Sequence, residues 1–221
     1  MKKMTLGLLM GTVLLGYSAS ALAQREISIG DYLSPTHSSL MTNSKTNLLE
    51  SPFLSTDWLV GNIVLENGQQ YQDVQFNYDQ SSESLVLMVK GNAYTPNAPV
   101  QSVTYEDKSG QVVLKSGYSP EKNILFRVLH EGNTILLKRT KKSKSQRSDH
   151  FTGNTEVKFI VKTDYYLFID NKLLEINPTK KGLLSVLGKR KPAIKTYLET
   201  QDSNLKDDRV LADLIAHYDT L

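Results

Sequence analysis

Residues 63–78, Ile-Val-Leu-Glu-Asn-Gly-Gln-Gln-Tyr-Gln-Asp-Val-Gln-Phe-Asn-Tyr, carry the clearest structural signal in this chain. Side chains alternate on both sides of Asn67-Gly68, a dipeptide that readily adopts the positive φ angles of a tight hairpin turn. In the second half, the alternation places Tyr71 on the same face of the strand as the polar residues, and Val74, Phe76 and Tyr78 on the other face. The stretch therefore predicts a β-hairpin. Trp58, just before it, is expected to fill the core.

Similar short segments continue on the C-terminal side of this hairpin. Turns rich in Gly, Asn and Asp separate them about every 10–12 residues, which is typical of an antiparallel meander. Residues 94–99 hold two prolines and one asparagine and are expected to form a loop, and the Lys/Ser-rich residues 140–154 a flexible connection. The further predicted strands are 85–90, 100–106, 111–115, 124–130, 134–139, 156–161, 164–170 and 172–176.

The pattern becomes helical after Asn177-Pro178. Thr179 is a candidate cap for a first helix that Gly188 ends, Pro192 precedes a second, and Asp207 or Asp208 begins a third. We predict a mainly β (α+β) protein: an antiparallel meander, arranged as a sandwich or partly open barrel, with two or three short C-terminal helices. The helices from about residue 179 should cap a single domain over 51–221. The apolar positions of their buried faces are Leu183, Leu184 and Leu187, then Ile194, Tyr197 and Leu198, then Leu211, Leu214, Ile215 and Tyr218.

The N-terminal residues have the features of an export signal. Two lysines, an apolar stretch and Ala21-Leu-Ala23 predict a cleaved signal peptide over 1–23, followed by a polar, poorly ordered arm over 24–50. We therefore expect a soluble protein of the cell envelope, in the periplasm or outside the cell. The chain has no cysteine, so we expect no lipid anchor and no thiol chemistry. No later apolar run is long enough for a transmembrane span.

Charge excludes one class of partner and marks one candidate site. Residues 24–221 have a net charge of +1, with −5 over 24–120 and +6 over 121–221, which argues against a generally basic nucleic-acid binder. Six cations lie within ten residues: Lys138, Arg139, Lys141, Lys142, Lys144 and Arg147. At a strand end and in a loop, they could contact an envelope protein or an anionic envelope component. The alternative is a charged loop that only keeps the chain in solution.

Two parts of the chain resemble uncharacterised secreted β-rich proteins of Bacteroidetes-type bacteria. One runs from Ser51-Pro-Phe-Leu54 through Trp58, Gly61 and Asn67-Gly68 to Tyr78-Asp79. The other is the Lys/Leu-rich C-terminal part, from Lys180 to Tyr218. The resemblance implies an exported β-rich protein with a helical tail, and it implies no activity, cofactor or site residue.

Signals for catalysis and cofactors are few. No two of His37, His130, His150 and His217 have metal-binding spacing, and no phosphate- or dinucleotide-binding glycine motif occurs, so we expect no cofactor and no metal. A Ser–His–Asp triad stays open, because its members meet in space and need no fixed spacing.

The carboxylates near the first hairpin also have a structural interpretation. Asp79 and Glu83 are interpreted as turn and solvent-face residues, and Asp207-Asp208 as a helix N-terminus. Our first functional hypothesis is therefore a non-enzymatic binding or interaction module. The alternatives are a small-ligand carrier with a lipocalin-like barrel and, less favoured, a hydrolase.

Overall fold

A computed structural model describes residues 33–35, 51–121, 123–148, 155–187, 193–200 and 204–221. In these residues, eleven strands and three helices follow one another. The strands are β1 (Leu33–Pro35), β2 (Leu59–Leu65), β3 (Gln70–Asp79), β4 (Ser84–Val89), β5 (Asn92–Pro96), β6 (Val100–Asp107), β7 (Gly110–Lys115), β8 (Phe126–His130), β9 (Ile135–Ser148), β10 (Thr155–Ile169) and β11 (Lys172–Ile176). The helices are α1 (Lys180–Leu187), α2 (Ile194–Thr200) and α3 (Asp208–Thr220).

All eleven strands belong to one open antiparallel sheet in the order β1-β5-β4-β3-β2-β6-β7-β8-β9-β10-β11. Most neighbours in the sheet are also neighbours in sequence, which is the meander that the spacing of the turns predicts. The prediction of a mainly β protein with short C-terminal helices is thus confirmed. The sequence left a sandwich and a partly open barrel as alternatives. The described strands form one sheet rather than the two stacked sheets of a sandwich.

The hairpin over residues 63–78 forms β2 and β3, but its alternation is interrupted. The register shifts between Gly61 and Ile63, where Asp73 adopts a φ of +53° and its N–H donates to the Asn62 side chain at 3.1 Å. Because this bulge inserts an extra residue, the side chains that precede it point to the opposite face of the sheet from the one that strict alternation predicts. Tyr71 is therefore buried, although a strict two-residue period groups it with the polar positions.

Two expected loops are strands in part, and the predictions are wrong for those parts. Residues 94–96 belong to β5, which pairs with β4 on one side and β1 on the other, whereas 97–99 form no strand and 149–154 lie outside the described residues. Residues 140–148 continue β9 and pair with 155–163 of β10. Both segments are polar because they lie at or near an edge of the sheet, where strands carry charged residues and prolines that do not enter the core.

Apolar side chains pack in three clusters. The β2–β7 half of the sheet holds the first, around Ile63, Leu65, Phe76 and Val103. The three helices cover one face of β9–β11 in the second, and the third lies around Phe126 and Leu137. Tyr165 and Tyr166 point to opposite faces of β10, as neighbours in a strand must, and pack in the second and third clusters respectively.

The predicted helix signals are confirmed where the structure describes them. The Gly182 N–H donates to the Thr179 hydroxyl at 3.1 Å, and Asp207 caps α3 by accepting from the N–H groups of Arg209 and Val210. Each helix buries residues from its predicted apolar face. Gly188 and Pro192 lie outside the described residues. No helix in the described part of the chain is both long and apolar enough to cross a membrane.

The residues before β2 are held by contacts with β3. The buried amide of Asn77 donates to the carbonyl of Ser55 at 2.8 Å, and Phe53, rather than the half-buried Trp58, fills the core. Of the predicted arm over 24–50, the structure describes Leu33–Pro35, which pairs with β5. The predicted signal peptide, residues 1–23, lies outside the described residues.

Candidate functional site

The six-cation candidate site lies on β9 rather than in a loop. Because successive side chains of a strand point to opposite faces, Lys138 and Lys142 lie on one face while Arg139 and Lys141 lie on the other. Lys144 is exposed, and the side chain of Arg147 lies outside the described residues. The run therefore does not form one continuous patch.

Arg139 forms a two-pronged ion pair with Glu83. Its Nε and Nη2 donate to the two carboxylate oxygens of Glu83, each at 2.8 Å, and Lys141 Nζ lies 3.6 Å from the same carboxylate. The side chains of Arg139 and Glu83 are only 21% and 15% exposed. The expectation that Glu83 is a solvent-face residue is therefore wrong, because the β3–β4 turn lies against β9.

Lys142 binds the segment that precedes β2. Its Nζ donates to the carbonyl oxygens of Ser51 and Phe53 at 2.9 and 2.6 Å, and its backbone N–H donates to the Gln80 carbonyl at 3.0 Å. A lysine ammonium supplies three donors, so these carbonyls use most of its hydrogen-bonding capacity. Lys142 therefore has a structural role.

Lys138 belongs to a polar cluster at the start of α3. Its Nζ lies 2.7 Å from Asp208 Oδ2, and the Tyr165 hydroxyl donates to Asp208 Oδ1 at 2.9 Å. Burial, with a smaller contribution from Asp208, raises the pKa of Tyr165 to about 12. The hydroxyl therefore stays protonated at neutral pH and can keep donating. The interpretation of Asp207-Asp208 as a helix N-terminus is confirmed, and Asp208 also ties the helix to the sheet.

Beyond Lys138 and Tyr165, β9 and β10 continue as a two-stranded ribbon, formed by residues 139–148 and 155–164. The pairs of β8 with β9 end at Lys138, and those of β11 with β10 end at Tyr165. The ribbon carries seven basic and two acidic side chains, a net charge of +5. Its positive charge is thus concentrated where the sheet narrows to two strands.

Two large apolar side chains of the ribbon are exposed, and the sequence analysis missed them. Ile160 is 61% exposed on one face and Val161 is 56% exposed on the other. The lysines nearest to them in β10, Lys158 and Lys162, are exposed too. The available signal was a predicted strand over 156–161 with apolar residues at consecutive positions, which cannot all face a one-sided core.

A groove of about 700 Å³ adjoins the base of the ribbon. It lies where β11 leaves the sheet at Asn177-Pro178, so that β10 loses its neighbour. Its charged lining residues are Lys138, Asp164, Glu175 and Lys206. Its volume lies in the range of ligand sites, but its walls carry charged residues of both signs, whereas small-molecule pockets are mostly apolar with few polar groups.

The apolar interior of the first half of the sheet offers much less room. A cavity of about 110 Å³ lies between Tyr78, Tyr105, Leu114 and Arg127. Ligand pockets commonly measure about 300–1,000 Å³. This cavity alone is too small for the contents that a lipocalin-like carrier would hold.

The two described histidines have structural partners. His130 Nε2 lies 3.0 Å from Asp219 Oδ2, which also accepts the Thr134 N–H at 3.1 Å. Burial alone would raise the pKa of Asp219, but these hydrogen bonds outweigh it and hold the pKa below its ordinary value. His217 stacks on Tyr197, with ring centroids 4.0 Å apart. Both contacts fix α3, and neither uses a serine.

Asp79, another candidate residue for catalysis, also has a local structural role. Asp79 accepts hydrogen bonds from Ser81 and Ser82, and so is a turn residue as predicted. In the described part of the chain, no three His, Cys, Asp or Glu residues are placed to hold a metal ion. His37 and His150 lie outside the described residues.

Comparisons with known proteins add no relative. The chain matches no family model, no curated protein and no solved structure. The function therefore has to be argued from the ribbon, the groove and the contacts described above.

Proposed function

We propose that this chain is an exported, non-enzymatic binding module of the cell envelope, and that the β9–β10 ribbon contacts an anionic partner. The observation that carries the proposal is the ribbon itself, which has a net charge of +5 and two exposed aliphatic side chains.

The cations that we propose to contact the partner are not the same as the six cations within residues 138–147. Lys138, Arg139 and Lys142 hold the fold together through Asp208, Glu83 and backbone carbonyls. The exposed cations are then Lys141 and Lys144 of β9, joined by Lys158 and Lys162 of β10. Long-range attraction to an anionic partner needs charge at the surface, and these four side chains are exposed, whereas those of Lys138 and Arg139 are only 23% and 21% exposed. Lys141 and Lys162 lie 3.6 and 2.9 Å from the carboxylates of Glu83 and Asp164, but both lysines stay in contact with water.

A pull-down with a matched charge control tests the proposal. Tagged protein is incubated with native envelope extract at about 50 mM and about 500 mM salt, because the Debye length falls severalfold over this range. The double variant Lys144→Glu/Lys162→Glu should lose the partner that the wild-type chain retains at low salt. The control Lys180→Glu/Lys195→Glu has the same net charge but changes exposed helix residues, and it should retain the partner.

Two outcomes would contradict the proposal. Equal loss in both double variants would mean that net charge matters and the ribbon does not. If the wild-type chain retained nothing from the extract at low salt, the proposal that it is a binding module would be wrong. Native mass spectrometry of the purified chain then tests the carrier alternative, since a carrier should retain a small molecule.

A further inference from the structure

The groove at the base of the ribbon combines charges of both signs within about 700 Å³. Its basic lining residues are Lys138 and Lys206, and its acidic ones are Asp164 and Glu175. An apolar ligand would take these charges out of water without pairing them, which is costly. A ligand that itself carries a charge of each sign would pair them instead. The groove therefore suits a polar ligand of mixed charge.

The two acidic side chains lie on one face of the sheet, beside Tyr166. Glu175 is directly opposite Tyr166 in the pairing of β10 with β11, and Asp164 precedes Tyr166 by two residues, so all three point to the same face. Burial raises the pKa of Tyr166, and the negative charges of Asp164 and Glu175 raise it further. Lys162 lies 2.9 Å from Asp164 and compensates for that carboxylate. Glu175 is exposed and forms no ion pair with another described residue.

The two basic side chains of the groove lie near the start of α3. Lys138 Nζ is 2.7 Å from Asp208 Oδ2, so this ammonium is compensated within the protein. Lys206 precedes α3 by two residues, is exposed and has no ion pair within the described part of the chain. Because Asp208 also accepts from the Tyr165 hydroxyl, the start of α3 is fixed against the sheet. The groove is thus ordered before a ligand binds, which lowers the entropic cost of binding.

Each sign of charge in the groove is therefore represented by one internally paired group and one exposed group. We infer that the groove binds a small zwitterionic ligand, a peptide of about two to four residues with free ends. The α-ammonium of the peptide meets Glu175 and its α-carboxylate meets Lys206, each in a charge-assisted hydrogen bond. This site is additional to the exposed lysines of the ribbon and takes a different class of ligand.

The size and the remaining lining of the groove favour a short peptide over a single amino acid. Sites of about 300–1,000 Å³ hold drug-sized ligands, and a tripeptide spans about 10 Å when extended. Thr163 and Asn177 are exposed in the lining, and both side chains can donate and accept hydrogen bonds. They therefore match the N–H and C=O groups of a peptide bond, which a free amino acid lacks.

Other classes of ligand fit this groove less well. A nucleotide would bring its phosphates close to the carboxylates of Asp164 and Glu175, and like charges repel. A divalent cation needs several oxygen ligands, and in the part of the chain that the structure describes no three His, Cys, Asp or Glu residues are placed to hold a metal ion. A zwitterion pairs both exposed groups of the groove at once.

The probe is trialanine with free ends, compared with its N-acetylated form and its C-terminal amide. Binding to the full chain is measured by isothermal titration calorimetry, and NMR maps the backbone amides that respond. Blocking either end removes one charge-assisted hydrogen bond and should weaken binding about tenfold. Amide shifts should change at residues 163–165, 175–177 and 206, which line the groove.

Two single variants test which residue meets which end of the peptide. Glu175→Gln and Lys206→Gln should each weaken the binding of free trialanine about tenfold. Acetylation should have no further effect in Glu175→Gln, and amidation none in Lys206→Gln, because the charged partner is already absent. The matched controls Glu199→Gln and Lys195→Gln change an exposed ion pair of α2 outside the groove lining and should bind like the wild-type chain. Thermal melts check that each variant is folded.

Four results would overturn the inference. The first is no binding of trialanine at about 10 mM. The second is equal binding of the free and blocked peptides, and the third is equal effects of the groove variants and the α2 controls. The fourth is a full tenfold loss on acetylation in Glu175→Gln, which would mean that Glu175 does not meet the ammonium. The pull-down of an anionic partner stays a separate test, because Glu175 and Lys206 are not part of the ribbon.

Discussion

The pair of Glu83 and Arg139 is predicted to contribute strongly to stability, because it joins the β3–β4 turn to β9 from 56 residues away. Glu83→Gln removes the negative charge and leaves the guanidinium with one neutral acceptor. Exposed ion pairs contribute about 0.2–1 kcal/mol, whereas breaking a buried pair costs about 3–5 kcal/mol. With side chains 21% and 15% exposed, we expect an intermediate loss of about 2 kcal/mol.

This loss should be visible in both urea and thermal unfolding. For a domain of about 200 residues, a loss of about 2 kcal/mol lowers the Tm by roughly 4–8 °C. A double-mutant cycle with Arg139→Gln isolates the interaction, and the coupling energy should be about 1.5 kcal/mol.

The control is a shorter but more exposed ion pair. Lys115 Nζ lies 2.6 Å from Glu131 Oε1, with side chains 31% and 55% exposed. Glu131→Gln should cost less than about 1 kcal/mol, because water competes for both charges. If it cost as much as Glu83→Gln, burial would not set the contribution of these pairs. A coupling energy below about 0.5 kcal/mol in the Glu83–Arg139 cycle would refute the reasoning directly.

Three further predictions concern other parts of the fold. Because the pKa of Asp219 is lowered, the stabilisation from its carboxylate is complete above the ordinary pKa of an aspartate and is lost as the pH falls through the lowered pKa. Asp219→Asn should therefore flatten the dependence of stability on pH, measured by urea unfolding between about pH 5 and about pH 2. An unchanged pH dependence would contradict this. Gly61→Ala should destabilise the chain by about 1–3 kcal/mol in urea, because a Cβ there would lie 2.5 Å from the Thr104 carbonyl oxygen, and a neutral effect would show that the strands can separate. Deletion of residues 179–221 should expose the apolar face of β9–β11 and cause aggregation or a much lower Tm, whereas an unchanged melt would mean that the sheet is stable alone.

Much of the local structure was predictable because its causes are local. Gly68 adopts a φ of +83° in the turn between β2 and β3, and Thr179 and Asp207 satisfy helix N–H groups within three residues. The buried positions of α3 follow from the period of a single helix. The interpretation of residues 140–148 as a loop failed for the opposite reason. Their composition is polar because they lie in a narrow ribbon with little core to cover, and composition alone does not separate such a strand from a loop.

The candidate site was only half predictable. The six cations were visible as a run, but their division between structural and exposed roles depends on which distant residues lie against β9. Exposure of Ile160 and Val161 likewise depends on where β8 and β11 stop pairing, which no local pattern records.

Sequence alone determined the sheet class, most turns, the helix boundaries that caps define and the concentration of positive charge in the second half of the chain. Each of these follows from interactions between residues a few positions apart. Tertiary structure alone decided that Glu83 neutralises Arg139 and that Lys142 binds the carbonyl of Phe53, 89 residues away. Such partners are set by which distant elements the folded sheet brings together and where its strands end, so the set of cations that stay exposed emerges only when the chain is folded.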